Sequence, residues 1–178
     1  MLGAMEFSFA WRQRPSRAIA VAAGAVLALC GMVGGGALAE PRPCADPMLM
    51  IDAPSDPMMN RVCTAAMEAK DLLAQCDLAQ HRPVVIEIRD RIEGAVEHCA
   101  GLYECGSDRV VLIPPDGVAA LMPEESIFAP IPTDAYFDSL VVHELAHAFM
   151  DQVECAHEPC DAAKEYVAYA LQVAILSE

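Results

Sequence analysis

Basic side chains are scarce in this sequence: 11 Lys and Arg stand against 26 Asp and Glu, for a formal net charge of −15. A field of that sign repels the phosphates of nucleic acid and the anionic face of a membrane, so neither is an expected partner. It favours a cationic partner or a divalent cation instead. The 8 cysteines include no CxxC pair, which argues against a zinc site made of thiolates. Beyond residue 39 there is no internal repeat and no low-complexity tract, so a solenoid is excluded.

The first 39 residues have the layout of an export signal. Arg12, Arg14 and Arg17 precede an apolar run at 18–33, glycines at 34–36 break it, and Ala37-Leu38-Ala39 forms an A-x-A cleavage site. The run is close to spanning length, so an uncleaved anchor is the alternative. Cleavage after Ala39 leaves 139 residues, the size of one domain with a modest core. It removes three arginines and one glutamate, so 8 basic residues remain against 25 acidic ones, a net of −17. The expected location is periplasmic or extracellular, with no stable membrane association once the signal is gone. Seven cysteines survive, and in an oxidising compartment they read as disulfides with one left over. Cys99 with Cys105 and Cys155 with Cys160 are the natural short loops, while Cys44, Cys63 and Cys76 compete for a third bridge.

Residues 40–54 are proline-rich and read as an extended arm ahead of a domain at 55–178. Ser55 and Asp56 before Pro57 signal a helix start, and Val62, Ala66, Ala69, Leu73 and Cys76 repeat at helical spacing, so a helix is predicted over 57–75. Alternation at 84–89 predicts a half-buried strand, 95–105 holds a second, and the β-branched run 109–113 a third after a Gly106-Ser107-Asp108 turn. A loop at 114–133 carries one short helix near 118–122. A long helix capped by Thr133 or Asp134 then runs to about Val153, and a last one from Pro159 and Asp161 to about Leu176 turns Ala163, Val167, Ala170 and Ala174 inward. The resulting class is α+β, with a small, mainly antiparallel sheet.

Within the long helix lies VVHELAHAF at 141–149. A helix turns about 100° per residue, so His143 and His147 fall one turn apart on one face, where two imidazoles can share a metal. Glu144 points about 60° beyond His147, too far round to ligate easily but near enough to reach a water at the metal. This is the HExxH spacing. Zinc suits imidazole donors, and a catalytic site wants three protein ligands with a fourth position open. The uncharged flanks suit a helix buried beneath a cleft.

Downstream candidates for the third ligand are Asp151, Glu154, His157, Glu158, Asp161 and Glu165. Asp151 lies a full turn past His147, and His157 lacks the glycine turn that would aim it. Glu165 is the best placed, at the start of a helix that a six-residue corner folds back on the first. At Glu165-Tyr166-Val167-Ala168 the chain resembles the gluzincin group of zinc metallopeptidases, in which HExxH is followed by a glutamate on a second helix. Where that group often has asparagine before the glutamate stands Lys164, and where many members have a histidine-bracing aspartate four residues after it stands Tyr169.

The resemblance implies a zincin-like fold in which His143, His147 and Glu165 hold Zn²⁺ and Glu144 is the general base of peptide hydrolysis. It also implies an oxyanion donor, for which Tyr136, Tyr166, Tyr169 and His157 are available, and an edge strand that pairs with extended substrate, for which 109–113 is the expected segment. The rival expectation is a disulfide-stapled secreted binding module with a structural or vestigial zinc. A small amide or a cell-wall crosslink is a further substrate class, ranked below peptides.

Overall fold

A computed structural model describes residues 40–94, 99–153 and 161–177. Residues 1–39, expected as an export signal, and the expected Cys155–Cys160 loop with His157 lie outside the described residues. Nine elements follow in order: β1 (Arg42–Pro43), β2 (Leu49–Asp52), α1 (Asp56–Gln75), β3 (Val84–Ile88), β4 (Gly101–Glu104), β5 (Arg109–Leu112), α2 (Pro115–Leu121), α3 (Thr133–Met150) and α4 (Asp161–Ile175). Among the described residues no helix is long and apolar enough to cross a membrane.

The class is α+β, but the sheet is mixed rather than mainly antiparallel. Its order is β1-β2-β3-β5-β4, with parallel pairs β2/β3 and β3/β5 at its centre and antiparallel pairs at both edges. The reason is connectivity. α1 carries the chain from the end of β2 back to its start before β3 forms, and a helical crossover makes neighbouring strands parallel. β4 and β5 are joined by a tight turn in which Gly106 and Asp108 take positive φ, so that pair is antiparallel. Strand β5, expected as the substrate-facing edge, is paired on both sides, and the edges are β1 and β4.

Residues 40–54 are more than an arm. They form β1 and β2, and Leu49 and Ile51 are core side chains beside Val62, Val84 and Ile86. A Cys44–Cys63 disulfide ties this stretch to α1, resolving the competition that also involved Cys76, whose thiol is exposed. Cys99 and Cys105 are not joined to each other. They flank extended β4, whose rise of about 3.3 Å per residue holds its ends far beyond the ~4.4–6.8 Å Cα span of a disulfide.

Helix α1 begins as expected, with the Ser55 side chain accepting from the Met58 amide. Helix α3 does not. Its N-cap is Pro132 with no side-chain cap, and Thr133 is already helical. Arg61 of α1 holds that end instead, bonding to Asp134 at 2.5 Å and to Asp138 at 3.0 Å. Helices α1 and α3 pack on each other and on the sheet, and α4 packs on α3. α3 is thus enclosed, and every residue over 139–150 is buried, as its nearly unbroken apolar sequence demands. The inner face of α4 centres on Ala168, Leu171 and Gln172; of the stripe expected, Val167 packs against the core and Ala174 is half-buried, while Ala163 and Ala170 are exposed. The helix is rotated so that 165, 168, 169 and 172 face α3, a stripe of mixed polarity that hydrophobic periodicity alone would not select.

The disulfide closes a loop of 19 residues in sequence separation. Replacing Cys44 and Cys63 together by serine should lower stability by about 3 kcal/mol through the entropy returned to the unfolded chain. Urea unfolding of the oxidised protein beside the double variant checks this, and equal midpoints would show that β1 and β2 are held by pairing alone.

Candidate metal centre

Two turns of α3 and the first turns of α4 bring three donors together. Nε2 of His143 and Nε2 of His147 are 3.2 Å apart. Glu165 places Oε1 3.5 Å from the His147 nitrogen and Oε2 3.9 Å from that of His143. The three ligand atoms lie within 4.8 Å of one another, and they form the one such cluster among the described residues. Zinc bonds of about 2.0–2.1 Å in a tetrahedron separate donors by about 3.3 Å, so the donor set and spacing fit that ion. Both imidazoles are buried, whereas the Glu165 side chain is 25% exposed.

Burial sets the charge states. It pushes His143 down to about 3, helped by the neighbouring His147 and opposed by the Gln172 amide. It pushes His147 down to about 4, helped by Lys164. Both rings are therefore neutral at pH 7, the form that ligates metal. Glu144 is buried beside them and is driven up to about 8, first by desolvation and then by the Glu165 charge, against a backbone hydrogen bond from Tyr103. That bond ties the acid to β4. Gly101 of the same strand leaves the necessary space: a Cβ there would meet Glu144 Oε1 at 2.6 Å and Cγ at 3.0 Å. Cys99 stands nearby as a neutral thiol, raised to about 11 chiefly by burial, and bonds to the Gly101 carbonyl at 2.9 Å.

Of the phenols considered, Tyr166 is 76% exposed on the far side of α4. Tyr169 stacks edge-on against His143, with ring centroids 4.6 Å apart, and lies within electrostatic reach of Glu144 and Glu165. Tyr136 is raised to about 12 by burial and by the proximity of Tyr169 and Glu144. Asp151 faces elsewhere. It accepts from Tyr103 Oη at 2.8 Å and the Gly106 amide at 3.0 Å, and pairs with Lys164 at 3.4 Å, which clamps the end of α3 to the β4–β5 turn.

Two participants were not anticipated from the sequence. Gly101 carries no local signal, because its role depends on a helix more than 40 positions away. Gln172 does carry one: it falls seven residues after Glu165, on the same helical face, as a polar residue in an otherwise apolar stripe.

In the metal-free protein, these three titrating side chains should make stability greatest near pH 6.5. Unfolded histidines take up protons below about 6.5, while the folded imidazoles resist down to about 4 and 3, so their contribution is lost as pH falls through that window. Glu144 works the other way. Its contribution is complete below its unfolded value of 4.5 and is lost as pH rises through about 8. Between 4.5 and 6.5 two rings outweigh one carboxyl, and above 6.5 only the carboxyl acts. Thermal unfolding in chelator from pH 5 to 8.5 checks the maximum, and a midpoint still climbing at pH 8.5 would mean that Glu144 is solvated.

No curated protein and no solved structure matches this chain. A family model does match, over residues 49–178, from the first residue of β2 onward. The chain belongs to that family, DUF6639, a family of unknown function.

Proposed function

We propose that this chain is an exported zinc-dependent metallohydrolase, a minimal zincin-like domain of gluzincin type that hydrolyses peptide bonds. The observation that carries the reading is the meeting of two neutral imidazoles and one carboxylate, from two helices, at zinc-compatible distances, with a second acid, Glu144, buried beside them.

His143, His147 and Glu165 would hold the ion, and their single negative charge leaves a bound dication net positive. When bound, zinc supplies Lewis acidity, activating water and polarising a carbonyl. Glu144 takes the proton of the water that adds to the peptide carbonyl carbon and returns it to the amine nitrogen as the C–N bond breaks. Its raised pKa suits the return of the proton, and a dication held by the three donors would lower that pKa and favour the carboxylate that accepts it. Tyr136 and Tyr169 are the phenols on hand for the developing oxyanion. β4 is the strand open to an extended peptide, because it is the sheet edge beside Glu144. The strongly acidic surface favours basic peptides.

Glu144→Ala should keep a zinc content near one per chain and lose cleavage of an unstructured basic protein by about 100-fold or more. Glu165→Ala should lose the zinc itself. Metal analysis and a gel-based cleavage assay on the oxidised, exported protein read both. Wild-type protein that holds zinc and cleaves nothing would transfer the chain to the class of binding modules. Gly101→Ala should retain zinc while displacing the base, lowering turnover by about 100-fold, and unchanged turnover would separate β4 from the catalytic arrangement.

A further inference from the structure

The Gln172 side chain is 1% exposed and lies between α4 and α3. Its Nε2 donates to Ser139 Oγ at 3.2 Å, and Ser139 Oγ in turn donates to the Tyr136 carbonyl at 2.7 Å. Ser139 stands one helical turn before His143 on the same face of α3, which sets the amide beside that ring. Because Nε2 of His143 faces His147 and Glu165, the nitrogen left for Gln172 is the buried Nδ1, which has no hydrogen-bond partner of full geometry among the described residues.

The polarity of this relay is forced. A main-chain carbonyl only accepts, so the Ser139 hydroxyl spends its single proton on Tyr136 and must accept from its other neighbour. Gln172 therefore turns its NH₂ toward Ser139 and its Oε1 toward His143. An acceptor at that ring requires Nδ1–H, and a neutral imidazole protonated on Nδ1 carries its lone pair on Nε2. We propose that Gln172 is the positioning residue of His143: the Tyr136 carbonyl, acting through Ser139 and Gln172, keeps the ring proton on Nδ1 and turns the Nε2 lone pair toward His147 and Glu165. It rests on the proposed metal site for its purpose, though its existence is testable without metal. Polar partners behind ligand histidines fix ring orientation and contribute about 10–100-fold to metal affinity.

The test uses the full, oxidised chain, with ¹⁵N NMR of the histidine rings in chelator at pH 7 and zinc affinity by chelator competition. Wild type should show His143 protonated on Nδ1. Gln172→Leu should move it to Nε2–H or a mixture and weaken zinc about 10–100-fold. Gln172→Glu should restore both readouts to within about threefold of wild type, because a carboxylate accepts from Nδ1–H and from a reoriented Ser139 hydroxyl. Ser139→Ala, a small change, frees the amide and should give mixed tautomers even if the leucine variant fails to fold. Wild-type His143 protonated on Nε2, or the same tautomer and affinity in both the leucine and alanine variants, overturns the proposal. A wild-type chain with the Nδ1–H tautomer but no zinc uptake would sink the metal reading and leave the relay in place.

Discussion

Two imidazole nitrogens 3.2 Å apart, with a carboxylate 3.5 Å from one of them, form the arrangement to which the rest of the structure is subordinate. Buried polar groups are costly unless each finds a partner, and three acceptor-rich groups facing one point strain a low-dielectric interior more than any one alone. The fold meets that cost with packing. α3 is enclosed by α1, the sheet and α4, and its buried apolar residues hold the two histidines where their rings cannot swing away. In the proposed function a dication sits at that point and turns the cost into affinity.

The sheet serves the same point from the other side. β4 is a short edge strand, and its backbone amide at Tyr103 and its bare position at Gly101 accommodate the Glu144 carboxyl. The clamp on Asp151 ties the β4–β5 turn to the end of α3 and, through Lys164, to the start of α4. The β4–β5 turn and two helices are thereby fixed to one another one turn beyond His147. A charged ladder lies elsewhere on the sheet, where Arg109 bridges Glu87 and Glu104, and Arg89 pairs with Asp52 and Glu87. These partly exposed pairs satisfy charges in a polar sheet surface and contribute little stability each.

What was legible in the sequence was local. The 3.6-residue period put His143 and His147 on one face, Ser55 announced α1, and the alternation in 84–88 announced β3. On α4, which is apolar on several faces, the alanines at 163 and 170 suggested one stripe, while Ala168, Leu171 and Gln172 are the residues buried. Sheet direction was likewise hidden, because parallel pairing follows from where α1 returns the chain and not from the strands themselves.

The sequence by itself determined the HExxH helix, because a fixed helical period converts spacing into geometry without help from the rest of the chain. It also singled out Glu165 as a third donor, though not the distance at which it would stand. Only the tertiary structure decided that distance, the rotation of α4, the strand that meets Glu144 and the hydrogen-bond relay behind His143. Each of these depends on side chains that are far apart in sequence and come together only when the core closes, and no local pattern encodes such a meeting.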